Sequence, residues 1–485
     1  MGSSGKSNGG FVEKHGLLTD EMRRAGDDAR REIENSQIRT VRIIWVDQHG
    51  ASRCKFASSE NFLSALVDGL DFSGALINMD TSNHLFTPVF AEGGGLGIPE
   101  LTGFPDLVLV PDPTTFRVLP WAESTAWVLT DAYFSNGKPV PLDSRALLRA
   151  QLDSCREMGY EYFAGVELEF YIVRLDSERI ELDQTGWPPP TPRVSILEQG
   201  YQYLSEVRLS GINDILTVLR KHLEAVGLPL RSMEDEWGPG QMEFTLNPTT
   251  GLTAADNVIL LRTAIKQVCQ QHGLHASFMC RPALPNFFSN GWHLHQSLRS
   301  LEDGTNAFMS ETELLSDVGR QFAAGLMEHA LPMAVFSTPT INGYKRYKSY
   351  SFAPDNVNWA VENRGAFIRV QAAPGDPSSH LENRMGEPAA NPYLYMAANV
   401  AAGIDGIRRR LEPPPMAGAD PYANRGADLP TTLWQAVDLL EKDSFFREVF
   451  GEPFVSFVVG MKRSEIGRFL SEVTDWEMRE YFEFF

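Results

Sequence analysis

The stretch Gly165-Val166-Glu167-Leu168-Glu169-Phe170-Tyr171 constrains this chain more than any other. It reads as a β-strand, with Leu168, Phe170 and Val173 to one side and Glu167, Glu169 and Tyr171 to the other. Side chains two apart on a strand point the same way, so two carboxylates stand side by side. Neighbouring like charges on a sheet repel, so a lysine or arginine from elsewhere, or a bound metal, must stand over them. An isolated E-x-E is most simply a wet acidic face. Stretches of the same character further along the chain change that judgement.

The 485 residues allow a large core and more than one domain. A net charge of −20 argues against a general binder of nucleic acid or anionic membrane. Cys54, Cys155, Cys269 and Cys280 form no C-x-x-C pair, which fits a reducing cytoplasm better than a zinc site or a disulfide framework. No apolar run reaches membrane-spanning length. Residues 1–36 read as an extension, Gly/Ser-rich at first and then helical from Met22 to Glu34 behind a Thr19-Asp20 cap.

Residues 37–141 read as a small mixed domain of two hairpins around a helix. The first hairpin is Val41–Asp47 and Ser52–Ala57 about a turn at His49-Gly50; Ser58–Gly69 is the helix, and Leu107–Val110 and Thr125–Leu129 are further strands. Gly93-Gly94-Gly95 reads as a flexible loop with no phosphate-binding role, because it does not open a helix after a strand. From 142 to 485, packing helices are expected at 144–159, 212–226, 253–273, 323–333, 391–410 and beyond 433, alternating with strands. The whole is expected to be α+β rather than a doubly wound sheet.

Four later stretches carry chemistry. Glu236 and Glu243 flank a Gly-Pro-Gly turn that would let their carboxylates converge, although an acidic hairpin tip has the same signature. His293, His295 and Ser297 share one face of a strand, and alternating histidines with polar neighbours favour a site over a structural role. Glu382 and Arg384 share a face, which on a surface would be an ion pair of little worth. Arg346, Arg364 and Arg369 are set among apolar strand residues, a placement suited to bidentate anchoring of carboxylate or phosphate. Hard oxygen ligands with a histidine select Mg²⁺ or Mn²⁺ over zinc. Two such cations with arginines are what phosphoryl transfer from ATP needs.

In this order, E-x-E, E-x-G-P-G-Q-x-E, H-x-H-x-S, N-x-Y-K-R, N-R and E-x-R, the motifs resemble the glutamine synthetase family from about Thr40 to the C-terminus. The resemblance implies an N-terminal β-grasp domain, then a catalytic domain with a funnel-shaped antiparallel sheet and surrounding helices. It also implies a homo-oligomer, a dodecamer of two stacked hexameric rings, with each site completed by a neighbour. By position, Glu169, Glu236 and Glu243 would hold one metal and Glu167, His293 and Glu382 a second. His295, Ser297 and Arg369 would face ATP; Arg346 would take the substrate α-carboxylate; Arg364 and Arg384 would contact the phosphates. The implied reaction phosphorylates the γ-carboxylate of glutamate and lets a nitrogen nucleophile attack the acyl phosphate.

Three departures bear on the substrates. The ammonia-using enzymes have a glutamate just before Ala-Pro, where this chain has Phe352; they have an aspartate in a Phe-Asp-Gly-Ser turn, where this chain has Ser73. Ammonium needs a negative partner and a base, whereas an arylamine is already neutral and would pack on a phenylalanine. A bulky aromatic or hydrophobic amine is therefore expected. A polyamine or alkylamine, served by Asp71, Asp80 or Glu362, is the alternative, and glutamine synthesis from ammonia ranks lower. Phe288-Ser289 replaces an Asn-Gly pair that helps cradle glutamate, while Arg346 is kept. An inactive regulatory or ring-forming homologue is disfavoured because every metal position is filled.

Overall fold

A nine-stranded sheet, antiparallel except for one parallel pair at its edge, carries the E-x-E strand near its centre, and a smaller sheet built by the N-terminal third packs on the same core. The structure, a computed structural model, describes residues 9–177, 179–423 and 425–485. In the smaller sheet, β1 (Thr40–Val46) and β2 (Ser52–Ser58) form the expected hairpin. With β3 (Leu70–Ser73), β4 (Asp106–Pro111), β5 (Arg117–Val118) and β6 (Thr125–Tyr133) they give the order β2-β1-β6-β4-β3, β5 pairing with β6. The two-hairpin expectation misses one feature: β1 and β6 run parallel, Ile43 opposite Val128. Helix Ser59–Asp68 packs Phe62 and Ala65 on Val41, Ile43, Ala126 and Val128, the arrangement of a β-grasp.

The glycine triplet is not a free loop. Gly93, Gly94 and Gly95 all have positive φ, and a Cβ on Gly94 would come within 2.7 Å of the Phe104 ring. Three left-handed residues in a packed turn require glycine.

The larger sheet comprises β7 (Tyr160–Leu175), β8 (Val194–Ile196), β9 (Leu230–Asp235), β10 (Gln241–Thr250), β11 (Leu274–Ser277), β12 (Trp292–Ser300), β13 (Trp359–Val361), β14 (Ile368–Gln371) and β15 (His380–Gly386). Its order is β13-β14-β15-β12-β7-β10-β9, with β8 and β11 on the far end of β7. Leu168, Phe170 and Ile172 face the main core, while Tyr171 and Val173 pack with Phe287 in a separate small cluster. The assignment of Val173 to the Leu168 side is thus corrected: the strict two-residue period of a strand puts it with the glutamates.

Most expected helices appear within a few residues, including Ser144–Glu157, Asn213–Ala225, Gly251–Gln271 and Pro392–Arg409. The apolar run 323–333 spans a break between Asp317–Glu328 and Ala330–Ser337, where the His329 ring turns to Asp405 at 2.7 Å. One apolar core runs without interruption from Trp45 and Trp127 in the smaller sheet through Leu168 and Phe244 to Phe336 and Phe454.

Polar ties join the two sheets. Buried Arg145, in helix Ser144–Glu157, reaches Asp112 beyond β4, Asp131 on β6 and Asp256 on helix Gly251–Gln271, each at 2.8 Å. Asn391 donates to the Asp47 carbonyl at 3.2 Å and to Ser144 Oγ at 3.1 Å.

Candidate active site

Strand register assembles the site. On β7, Glu169 lies opposite Glu243 of β10, and Glu167 lies opposite His293 of β12. His295 on β12 faces Glu382 on β15, which in turn faces Arg369 on β14. Adjacent strands stand about 4.8 Å apart, so one face gathers four acids, two histidines and an arginine from five segments of chain. His293 is the pivot. Its Nδ1 is 2.5 Å from Glu167 Oε1 and 3.8 Å from Glu382 Oε1; its Nε2 is 3.9 Å from Glu169 Oε1 and 3.3 Å from Arg346 Nη2.

Two triads offer ligand atoms within 4.8 Å of one another: Glu167, His293 and Glu382, and Glu169, Glu243 and His293. Glu236 falls outside both triads, but its carboxyl stands close enough to feel Glu169 and Glu167.

Charge is unevenly spread. Burial raises the Glu167 carboxyl, but His293 and His295 more than reverse this and hold it well below the usual range. Burial likewise works against Glu382 as an anion, yet Arg384, His295 and His293 keep it low. On the other flank, burial and the Glu169 and Glu167 charges push Glu236 up to about 8. Burial, then Glu167, Glu169 and Glu236, raises Glu243 strongly. Among the described residues no lysine or arginine is ion-paired to Glu169, Glu236 or Glu243, and oxygen donors with one imidazole, His293, are a fitting set for a hard divalent ion.

The arginines fringe the cluster. Arg369 Nη1 is 3.0 Å from Glu382 Oε2, and Arg384 pairs with the other oxygen of the same carboxylate. Arg384 also donates to the carbonyls of Arg364 at 3.0 Å and Phe352 at 3.3 Å. Arg346 is buried and donates to the Arg384 carbonyl at 3.0 Å, whereas Arg364 is exposed. His295 Nε2 is 3.0 Å from Glu167 Oε2, and Ser297 follows on the same partly open face.

The structure brings Phe352 to this fringe and leaves its side chain 63% exposed. Ser73 pairs with Asp106 in the smaller sheet, and among the described residues no hydrogen bond links it to the cluster. Of the acids considered for a charged amine, Asp80 is buried and spent on Arg468 at 2.8 Å. Glu362 is paired with Arg369 at 2.5 Å.

Sequence reasoning overlooked His380, Gln241 and Gly291. His380 Nε2 lies 3.0 Å from His295 Nδ1, and the alternation that joins Glu382 to Arg384 already included it. Gln241 donates to Glu169 at 3.2 Å and to Asn290 at 2.9 Å. A Cβ on Gly291 would lie 2.7 Å from Arg346 Nη2 and 2.9 Å from His293 Nε2, so only a bare backbone fits beneath that pair. Nothing in the sequence marks it apart from its place before the histidines.

A sheet presenting buried carboxylates and imidazoles, with Arg346, Arg369 and Arg384 beside them, defines an enzyme of the metal- and phosphate-handling class. The chain belongs to the glutamine synthetase family: the family's catalytic-domain model, "Glutamine synthetase, catalytic domain", matches residues 141–481. It is 42% identical to the γ-glutamylanilide synthase of Acinetobacter sp, over 97% of this chain and 98% of that one. It is 33% identical to the glutamate–isopropylamine ligase of Pseudomonas sp, over 93% and 96% of the two chains. The solved structure of a GmaS/ADP complex superposes with a TM-score of 0.79 at 26% identity, covering 94% of this chain and 99% of that one. No helix among the described residues is long and apolar enough to cross a membrane.

Proposed function

We propose that this chain is an ATP-dependent ligase that phosphorylates the γ-carboxylate of glutamate and joins it to a bulky aromatic or hydrophobic amine, giving a γ-glutamylamide. The observation that carries the choice of amine is Phe352, an exposed aromatic whose carbonyl is held by the same arginine that pairs with Glu382. A neutral arylamine needs no acid there, and its ring gains from an aromatic neighbour. The relative named for an anilide supports the same reading, while the one named for isopropylamine favours the alkylamine alternative.

Glu169, Glu236 and Glu243 would hold one divalent cation, and Glu167, His293 and Glu382 another. Bound Mg²⁺ or Mn²⁺ would supply neutralising charge to phosphate oxygens. Arg346 fixes the α-carboxylate of glutamate and so aims its γ-carboxylate at ATP. His295, Ser297 and Arg369 orient the nucleotide, while Arg364 and Arg384 stabilise the charge that spreads over the phosphoryl group in transfer. The amine nitrogen then attacks the acyl phosphate carbon; the C–N bond forms as the C–O bond to phosphate breaks, and the departing phosphate takes up the proton the nitrogen sheds.

The reading extends to architecture. Residues 37–141 and 142–485 would be the two domains, in a cytoplasmic homododecamer where a neighbour's Ser73 reaches the site. A monomer by size-exclusion chromatography with light scattering would refute that arrangement. The reaction is tested by phosphate release with ATP, Mg²⁺ or Mn²⁺ and glutamate across ammonia, anilines, alkylamines and polyamines. Release that depends on an arylamine, with ammonia silent, is expected; strong ammonia activity would overturn the choice of amine.

A further inference from the structure

Beside Glu236 stands a pair of aromatic rings with no assigned role. Trp237 and Tyr203 lie parallel, with an interplanar angle of 2° and centroids 5.3 Å apart. They are 45% and 43% exposed, so a broad flat apolar surface is left open. Surface aromatics are usually single; a stacked pair held half in the open offers one more ring a place to stack.

The pair is held in place from behind. The Glu198 carboxylate accepts the Gly200 and Gly240 amides at 2.6 and 3.0 Å, clamping segment 198–204 to the turn between β9 and β10. Backbone bonds from Tyr201 to the Trp237 carbonyl (2.9 Å) and from Leu204 to the Asp235 carbonyl (3.2 Å) complete the clamp. The Tyr203 phenol senses Glu236, Glu243, Glu234 and Arg364, which puts the rings at the edge of the acidic cluster.

In strand order the pair belongs to the β9–β10 side of β7, while Arg364, near the Tyr203 phenol, comes from the opposite side. His295, Ser297, Glu382 and Arg369 sit on β12, β15 and β14, on one flank of β7; β10 and β9, with the Tyr203–Trp237 pair, form the other flank. We propose that the Tyr203–Trp237 pair is the shelf on which the ring of an aromatic nitrogen donor stacks, and that Trp237 determines specificity for it. This rests on the ligase reading above.

The test compares wild type, Trp237→Ala and Trp237→Phe with three nitrogen donors, aniline, an alkylammonium and hydroxylamine, measuring KM and kcat for each and KM for ATP and glutamate. Hydroxylamine traps the acyl phosphate without needing a ring surface. The expected result is a KM for aniline raised about tenfold in Trp237→Ala and largely restored in Trp237→Phe. Hydroxamate formation and KM for ATP and glutamate should stay within about twofold of wild type.

Equal losses with aniline and hydroxylamine, or no loss with aniline, overturn the shelf while leaving the ligase reading intact. A raised KM for ATP alone makes the pair an adenine surface and overturns the proposal. A larger loss with alkylammonium donors than with aniline makes it a cation site and does the same. Wild type that forms hydroxamate but no anilide overturns the arylamine reading and the shelf with it. Wild type that forms no hydroxamate overturns the ligase reading itself.

Discussion

His293 Nδ1 stands 2.5 Å from Glu167 Oε1, the two residues facing each other across β12 and β7. The contact holds the ring so that its second nitrogen points to Glu169 and Arg346. One imidazole thus belongs to both acidic triads. Replacing Glu167 or Glu243 by alanine should therefore abolish ATP- and glutamate-dependent phosphate release, with at least a roughly hundredfold fall in kcat/KM. Substantial turnover in either variant would remove that residue from the ligand set.

Gly291→Ala tests the close approach of backbone to Arg346 and His293. Because displacing a bound group by about 1 Å can cost on the order of a hundredfold, this variant should lose activity by that order. Overpacking at this buried position also costs about 1–3 kcal/mol, so its melting temperature should fall by only a few degrees. A fully active Gly291→Ala enzyme would show that Arg346 has room to adjust.

Restoring the two acids of ammonia-using relatives, Phe352→Glu with Ser73→Asp, should raise ammonia-dependent phosphate release roughly tenfold or more. Arylamine use should fall in the same protein. If ammonia use does not rise, the nitrogen donor is selected elsewhere.

Arg145→Met removes the buried guanidinium shared by Asp112, Asp131 and Asp256, leaving Asp131 its 2.9 Å pair with Arg149 and Asp256 the Tyr393 hydroxyl at 2.7 Å. Removing one partner of a buried ion network costs about 3–5 kcal/mol. Urea unfolding should show that loss, whereas an unchanged midpoint would mean the carboxylates take up protons at little cost.

Asp143 caps helix Ser144–Glu157 by accepting the Arg145 amide at 2.9 Å, and it also takes the Ala132 amide at 3.0 Å. Burial and the neighbouring Asp131 charge push its carboxyl up to about 6 from the ordinary 3.8. Between these values the folded chain holds a proton that the unfolded chain has released, so unfolding free energy falls as pH rises. The contribution is complete below about pH 4 and lost above about pH 6, on the order of 3 kcal/mol. Asp143→Asn should flatten the stability profile across that window; an unchanged slope would exonerate this group.

Much of this was legible in the sequence because strands write their geometry in a period of two. Glu167 with Glu169, His293 with His295, and Glu382 with Arg384 each announced a shared face, and the register of five segments then brought those faces together. Pairings between strands distant in sequence were not legible; they depend on packing, as the parallel β1–β6 contact shows. The Tyr203–Trp237 stack was equally hidden, since it joins a loop to a turn 34 positions away with no periodic signal in either. Gly291 escaped because its importance lies in an atom it lacks.

The guanidinium of Arg145 has a consequence for anyone wishing to recombine relatives of this chain. It is shared among acids contributed by the smaller sheet and by a helix behind the larger one. A chimera that took the first 141 residues from one parent and the rest from another would have to bring all of these partners as a matched set. Diversification of such a scaffold is freer at loops beside the acidic cluster than at the seam between its sheets.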